Sequence, residues 1–194
     1  MNKKFAAALS GGAVLAMAMT LSGCGDDEDD KVDDWAKTVC DQVQPQLKKI
    51  SDANASIQKQ TADNSKPVDV QRTDSAAFQQ ISDAYKAMGS AVDKAGAPPV
   101  EGGETTQKDA VKELNASSAA YADLRRQVDA LNTKDQAKFA DGLKGIADEL
   151  DKISKSGDEA LQKLQSGEVG EAMAKQPGCQ KPSPGASKTE APKA

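Results

Sequence analysis

Apolar residues recur at helical spacing in four long segments of the chain. In the first, which we predict to begin at Asp33, they alternate steps of four and three residues and form a seam, meaning one apolar stripe along a helix. Pro45 lies inside this segment, where we expect a kink. The seam positions are Ala36, Cys40, Val43, Leu47, Ile50, Asn54 and Ile57, and Trp35 and Val39 widen the seam near its start.

Two further segments repeat this pattern, and residues that can cap a helix precede or open each of them. Asp74 or Ser75 is placed to cap the second helix, and Thr105 or Thr106 the third. A stretch rich in glycine and proline at residues 96–103 separates the two. The second seam consists of Phe78, Ile81, Tyr85, Met88 and Val92, and the third of Val111, Leu114, Ser118, Tyr121, Leu124, Val128 and Leu131.

The fourth segment has the most regular seam. Thr133 and Gln136 fit a capping box at its start. A second candidate box, Ser156 with Glu159 around Gly157, predicts that the helix breaks there and restarts. The seam consists of Phe139, Leu143, Ile146, Leu150 and Ile153.

No segment shows the alternation that is typical of strands, so the predicted fold class is all-α. Four helices within residues 33–180 predict an antiparallel, up-down-up-down four-helix bundle. A three-helix bundle with a hairpin arm and an elongated coiled coil remain alternatives. The tail at residues 181–194, rich in proline, alanine and serine, has too little apolar surface to fold, and we expect it to be disordered.

The N-terminus has the organisation of a secretory signal. Lys3 and Lys4 precede an apolar stretch that ends in Leu21-Ser22-Gly23-Cys24, which resembles the lipobox of bacterial lipoprotein signal peptides. The thiol of Cys24 would accept a diacylglyceryl group as a thioether, and the small Ser22 and Gly23 would admit the signal peptidase. We therefore expect residues 1–23 to be removed. An uncleaved membrane helix is the alternative, but it would need about 20 predominantly apolar residues.

An acidic run, Asp26–Asp30, follows the predicted lipid site. Removal of Lys3 and Lys4 with the signal lowers the formal charge from −5 to −7, and these acids carry much of it. A block of like charges resists packing, so residues 24–32 are predicted to be an extended, hydrated linker. Binding of a divalent cation through carboxylate oxygens is the alternative role.

The two remaining cysteines, Cys40 and Cys179, form an even pair. Outside the cytoplasm such a pair indicates a disulfide. In an up-down-up-down bundle the end of the last helix returns beside the start of the first, which favours the pairing. A redox-active or metal-binding thiol pair is the alternative, although the chain has no Cys-x-x-Cys motif and no histidine.

Composition narrows the chemistry further. With no histidine in 194 residues, every Ser-His and Cys-His nucleophile pair and the commonest metal ligand are excluded. The sequence predicts no catalytic residue, no metal site and no cofactor. The carboxylates of the fourth helix, Asp148, Glu149 and Asp151, lie on its polar face. We expect them to be solvated and not to form a catalytic pair. The net negative charge argues against a nucleic-acid partner.

Two other features have a structural and a functional interpretation. Trp35, the single tryptophan, either belongs to the core or contacts a partner or lipid headgroups. Residues 84–93 also match residues 120–129 at an offset of 36, because both segments place a tyrosine and a Val-Asp pair at equivalent positions. Either the segment is duplicated, or two helices of one core have similar compositions.

Taken together, the chain resembles the small secreted lipoproteins of actinobacteria, a family of unknown function. The resemblance depends on Leu21-Ser22-Gly23-Cys24, the acidic run, the segment 33–41 around Trp35, and Gly178-Cys179. It implies attachment to the extracytoplasmic face of the cell membrane and assigns no activity.

These observations predict a non-catalytic protein that binds another envelope component. Its contact surface would lie around Trp35 or residues 95–105. The alternative is a small-ligand carrier or sensor with a pocket between the helices, lined by Asn54 and Ser118. An enzyme that uses enclosed carboxylates is the third hypothesis.

Overall fold

The computed structural model describes residues 26–60, 65–164 and 166–180, apart from the side chains of residues 26–28 and 154–164. Over these residues the chain is all-helical, as predicted, and contains no strand. The helices are α1 (Asp26–Gln60), α2 (Pro67–Ala95), α3 (Gly103–Asp129), α4 (Gln136–Leu164) and α5 (Gly167–Lys175), followed by a 3₁₀ turn at Pro177–Cys179. The predicted signal peptide, Cys24 and the tail 181–194 lie outside the described residues.

The first helix differs from its prediction at its start and in its buried face. The acidic run Asp26–Asp30 is helical rather than extended. Carboxylates in a first turn are stabilised by the unpaired N–H groups and the positive end of the helix dipole. The spacing of apolar residues gives no sign of this local effect. Asn54, a predicted seam position, is exposed, and Ala53 is buried instead. The stripe shifts because a straight helix has 3.6 residues per turn and drifts away from a seven-residue repeat.

The predicted caps of α2 are wrong, because the helix begins earlier. Lys66 has an extended backbone, and Pro67 occupies the first helical position. Proline suits that position, since its ring fixes a helical φ and its missing N–H would have had no partner there. Asp74 and Ser75 consequently lie inside α2.

The predicted caps of α3 are also wrong, because the helix begins at Gly103. Gly102 precedes it with a φ of 73°, a conformation that glycine adopts without strain. A side chain at Gly103 would collide with the carbonyl of Pro98, so glycine is required for this close approach. Thr106 lies in the first turn, where its hydroxyl donates to the Gly102 carbonyl at 3.3 Å.

The fourth helix begins and ends at other residues than predicted. Asp135 caps its start, since Oδ1 accepts a hydrogen bond from the Lys138 N–H at 3.1 Å, so the box at Thr133 is not used. The helix then continues through Gly157 to Leu164, because a single glycine weakens a helix by about 1 kcal/mol without ending it. The next helix begins at Gly167, where φ is 65°.

The apolar seams of α2, α3 and α4 are confirmed by burial. Each contributes large side chains to the interior: Phe78, Ile81, Met88 and Val92 from α2, Leu124 and Val128 from α3, and Phe139 and Ile146 from α4.

Two pairs of helices, α1 with α2 and α2 with α3, lie side by side with the start of one beside the end of the next. The Trp35 indole N–H donates to the Gly96 carbonyl at 2.9 Å, which joins the start of α1 to the end of α2. The Gln71 amide donates to the Val128 carbonyl at 2.9 Å, which joins the start of α2 to the end of α3. Beyond these, α4 packs principally on α3, and α5 principally on α1.

The interior is divided into two clusters. We call the one nearer the start of α1 the proximal core, which consists of Val32, Trp35, Ala36, Val39, Val92, Ala110, Val169 and Ala172. The other is the distal core, which consists of Ala53, Ala77, Phe78, Ile81, Leu124, Val128 and Ile146. The helices α1, α2 and α3 contribute to both cores, whereas α5 covers the proximal core and the described side chains of α4 contribute to the distal one.

The 36-residue offset in the sequence corresponds to a local symmetry between α2 and α3. Residues at matched positions make matched contacts across the helix pair: Ser82 with Ser118, Tyr85 with Tyr121, Gln71 with the Asp129 carbonyl, and Gln107 with the Asp93 carbonyl. The contacts are therefore consistent with an approximate two-fold axis relating the two helices. This axis passes between Ser82 and Ser118 and between Tyr85 and Tyr121.

Candidate functional site

Cys40 and Cys179 form a disulfide in the structure, with their Cα atoms 4.9 Å apart. Cys40 lies fully buried in α1, while Cys179 ends the 3₁₀ turn and is partly exposed. The bond therefore fastens the last described segment of the chain to the first helix, across 139 residues of sequence. We call α5, the 3₁₀ turn and this disulfide the clasp.

Close backbone contact and one ion pair complete the clasp. Gly178 lies against α1 so tightly that a Cβ there would be 2.6 Å from the Cys40 carbonyl oxygen. The Lys175 ammonium lies 3.2 Å from the Asp33 carboxylate, with the two side chains 60% and 37% exposed. An ion pair this exposed contributes about 0–1 kcal/mol, so the disulfide and the backbone packing are the main constraints.

Trp35 belongs to the core and not to a contact surface. Its side chain is buried beneath the clasp within the proximal core, and its indole N–H is satisfied by the Gly96 carbonyl. The loop that follows α2 is also packed, because Val100 lies against the same core. Of the two interpretations of Trp35, its burial agrees with the core interpretation, because the indole is enclosed by α1, α2 and α5.

Two grooves flank the C-terminal half of α3. One, of about 700 Å³, lies between α3 and α4 and is lined by Ala120, Asp123, Arg126, Gln127, Ala130, Glu149, Lys152 and Ile153. The other, of about 520 Å³, lies between α2 and α3 and is lined by Val68, Gln71, Arg72, Ser75, Ala76, Gln79, Arg125 and Asp129. Both open at the surface, so they could receive a side chain or a peptide segment rather than enclose a small molecule.

All three arginines of the chain border these grooves. Arg72 pairs with Asp69 at 3.2 Å, Arg125 with Asp129 at 3.4 Å, and Arg126 with Asp123. Each pair is exposed and lies within one turn of a single helix. It gives the arginine a preferred position, and because an exposed pair is weak, the arginine can exchange its partner at little energetic cost. We call the grooves and these arginines the α3 face.

Asp74, predicted to cap the start of α2, is instead a buried carboxyl group within the helix. It is 7% exposed on the inner side of α2, beside Ala77 and Phe78, and Oδ1 has no hydrogen-bond partner among the described residues. Burial raises the pKa of Asp74 to about 6, because the charged form loses its hydration. Its seam position could have been recognised, since it lies four residues before Phe78 on the same stripe.

The matched tyrosines form a stacked pair at the edge of the distal core. The ring centroids of Tyr85 and Tyr121 are 5.6 Å apart with an interplanar angle of 17°, and Phe78 lies 6.2 Å from Tyr121. Burial, and secondarily the neighbouring Tyr85, raises the pKa of Tyr121 to about 12. A phenol with a raised pKa stays protonated at neutral pH, and the contact with Phe78 and the distal core gives this pair a packing role.

The other residues singled out from the sequence do not converge. Asp148 is exposed, and Glu149 accepts a hydrogen bond from the Gln127 amide at 2.6 Å. Asn54 is exposed, while Ser118 bonds to Ser82 between α2 and α3, and neither lines either groove. The shared pocket predicted for a small-ligand carrier is thus not built from these two residues.

Two other kinds of feature are absent from the described residues, namely a metal-binding cluster and a membrane-spanning helix. No group of three or more His, Cys, Asp or Glu side chains in the described part of the chain is arranged to hold a metal ion. Within the same residues, no helix combines the length and the apolar character that crossing a membrane requires.

The grooves and the glutamine contacts could not be found by sequence reasoning. Gln71 reaches the Val128, Asp129 and Leu131 carbonyls at the end of α3, a role that depends on how α2 and α3 are aligned. The offset of 36 was the one available signal, since it matches Gln71 with Gln107. No family model, no curated protein and no solved structure matches this chain.

Proposed function

We propose that the protein is a lipoprotein anchored to the extracytoplasmic face of the bacterial cell membrane. The supporting features are Lys3 and Lys4, the apolar stretch after them, and the sequence Leu21-Ser22-Gly23-Cys24. A diacylglyceryl group on the Cys24 thiol, with a further acyl chain such as palmitate, would supply the anchor, since two or more chains hold a protein stably at a bilayer. The pairing of the other two cysteines agrees with an oxidising compartment.

The folded domain of this lipoprotein is, in our proposal, an up-down-up-down bundle whose fourth position is shared by two helices. Support comes from two contacts that join the start of a helix to the end of the next, Trp35 with Gly96 and Gln71 with Val128, and from the packing of α4 on α3. Because α1 starts close to Cys24, the proximal core would lie near the membrane and the distal core would project away from it.

The bundle acts by binding another envelope component, and it has no catalytic role. The observation that carries this proposal is the α3 face, where two open grooves and the three arginines meet. Arginine is enriched at protein interfaces because its planar, charged group both stacks and forms paired hydrogen bonds. Val68, exposed at 45%, adds an apolar contact at the edge of the same face.

Labelling with a fatty-acid probe tests the anchor. Wild-type protein in its own cells should incorporate the probe, and Cys24→Ala should not, because it lacks the thiol that forms the thioether. Cys179→Ala is the matched control, since it removes a different thiol and should label normally. Equal labelling of Cys24→Ala and wild type would contradict the lipid site.

Crosslinking in intact cells tests the α3 face. We expect wild type to yield one defined, reproducible crosslinked species, and Arg125→Glu with Arg126→Glu to lose it. The control is Lys108→Glu with Lys112→Glu, which makes the same change of charge on the same helix away from the grooves. Retention of the crosslink in the arginine variant, or its loss in both variants, would overturn the assignment of this face.

A further inference from the structure

The clasp is attached to the rest of the molecule through a small number of contacts. The short helix α5 buries Val169, Gly170 and Ala172, and with Met173 it covers Val32, Trp35 and Ala36 of α1. Among the described elements, α5 and the 3₁₀ turn pack principally on α1 and on each other. The segment therefore has one docking site, which is the first part of α1.

Without the disulfide, this docking is weak. A helix of nine residues is too short to be stable alone in water, so α5 depends on its packing for its structure. The side chains that it buries are small, and the Lys175–Asp33 pair is exposed to solvent. The covalent bond between Cys40 and Cys179 is thus the contact that keeps the segment in place.

We infer that the Cys40–Cys179 disulfide is a redox-sensitive latch, whose reduction releases α5 and the 3₁₀ turn from α1 and uncovers the proximal core while the distal core stays folded. The two cores are separate clusters, and α5 belongs only to the proximal one. Opening can consequently remain local, as in the partial unfolding reactions of many native proteins.

The reductant is a dithiol, either a small molecule or the active site of a thiol oxidoreductase. Cys40 is fully buried and Cys179 is partly exposed, so the thiolate of the dithiol attacks the Cys179 sulfur. The S–S bond breaks, the Cys40 sulfur leaves as a thiolate and takes up a proton, and a mixed disulfide forms on Cys179. The second thiol of the reductant then displaces Cys179, so two electrons and two protons pass to the protein and the reductant becomes a disulfide.

Trp35 reports directly on this opening because it is the single tryptophan and lies beneath α5. The experiment uses the full chain carrying Cys24→Ala, so that only the two latch cysteines can react. After reduction with dithiothreitol, Trp35 emission should shift to longer wavelength, and a lysine-specific protease should cut at Lys175 about tenfold faster or more. Cleavage at Lys144, an exposed lysine of α4, should keep its rate.

A second variant separates the latch from any direct effect of the reagent. Cys40→Ala with Cys179→Ala should show the shifted emission and fast cleavage at Lys175 without dithiothreitol, and adding the reagent should change neither. Unchanged emission and cleavage at Lys175 in the reduced protein would overturn the latch. So would an equal acceleration at Lys144, since the disulfide would then hold the whole fold and not the clasp alone.

Discussion

The proximal and distal cores differ in the side chains that fill them and in the helix that closes them. The proximal core is made of valines, alanines and one tryptophan, and a nine-residue helix closes it. The distal core contains phenylalanine, leucine and two isoleucines, and the 29-residue helix α4 closes it. Only the proximal core has a disulfide beside it. Apolar burial is sufficient to hold the distal closing helix, whereas the proximal one is held covalently.

The magnitudes of the terms explain this difference. Ordering one residue costs about 1–2 kcal/mol of conformational entropy, and burying a whole valine gains about 1.5–3 kcal/mol. With one valine and one alanine fully buried, α5 cannot offset the ordering of its nine residues. A disulfide that closes a loop of 139 residues contributes about 5 kcal/mol in the chain-entropy model, which is more than any other single contact of the clasp.

The largest expected effect is the loss of stability when the distal core is truncated. Leu124 is fully buried there, so Leu124→Ala should lower the free energy of unfolding by about 2–5 kcal/mol, because the cavity left behind cannot fully collapse. Urea unfolding followed by circular dichroism measures this. Val68→Ala, at an exposed position, should change the free energy by less than about 0.5 kcal/mol. Similar losses in both variants would mean that the distal core is not the main source of stability.

Gly178→Ala should weaken the proximal core specifically. The new methyl group would press on the Cys40 carbonyl, and relieving that contact should cost about 1–3 kcal/mol. Thermal unfolding followed by Trp35 fluorescence reports on this core. Gly145→Ala is the matched control, since its Cβ meets nothing within 4 Å, and it should stabilise α4 by up to about 1 kcal/mol. If Gly178→Ala left the free energy of unfolding unchanged, the clasp would be loosely packed.

Asp74 makes the distal core sensitive to pH. Because burial raises the pKa of Asp74 from 3.8 to about 6, the folded state favours the neutral acid. Stability is therefore highest below pH 3.8, declines as the pH rises towards 6, and is constant above that for this group. Asp74→Asn should remove this decline and add about 1–2 kcal/mol at neutral pH.

The pH dependence of urea unfolding checks this prediction. Asp83→Asn makes the same substitution at an exposed position of α2 and is the matched control. If Asp74→Asn keeps the slope of the wild type, other carboxyl groups are responsible for it.

The smallest effect is expected at the ion pair of the clasp. Lys175→Gln removes the contact with Asp33 and should lower the free energy of unfolding, measured by thermal unfolding, by no more than about 1 kcal/mol, because both partners are solvated. A loss of several kcal/mol would contradict the view that the disulfide and backbone packing hold α5.

Much of the fold followed from local patterns. The four long helices and most of their buried residues were predicted from the spacing of apolar side chains, as Phe78, Ile81 and Val92 illustrate. The helix starts were predicted poorly, since α2 begins at Pro67, α3 begins at Gly103, and Asp135 rather than Thr133 caps α4. Several residues can cap a helix in any short stretch, and the close contacts of the loops select among them.

The candidate site was less predictable than the fold. The pairing of Cys40 with Cys179 could be inferred by elimination, because the only other cysteine stands in the predicted lipid motif. The α3 face could not, since its grooves are formed by side chains from three helices. Trp35 and Asp74 had ambiguous sequence environments, and burial assigned both of them to the interior.

By itself, the sequence determined the helical class, the apolar seams and the pairing of two cysteines, because each depends on the order and spacing of neighbouring residues or on a simple count. Tertiary structure decided that the interior is divided into two cores, that α5 rather than α4 covers the proximal one, and that Asp74 is enclosed without a partner for Oδ1. These features depend on which helices lie side by side and at what register. Burial of a side chain is set by neighbours distant in sequence, so it emerges only when the helices pack.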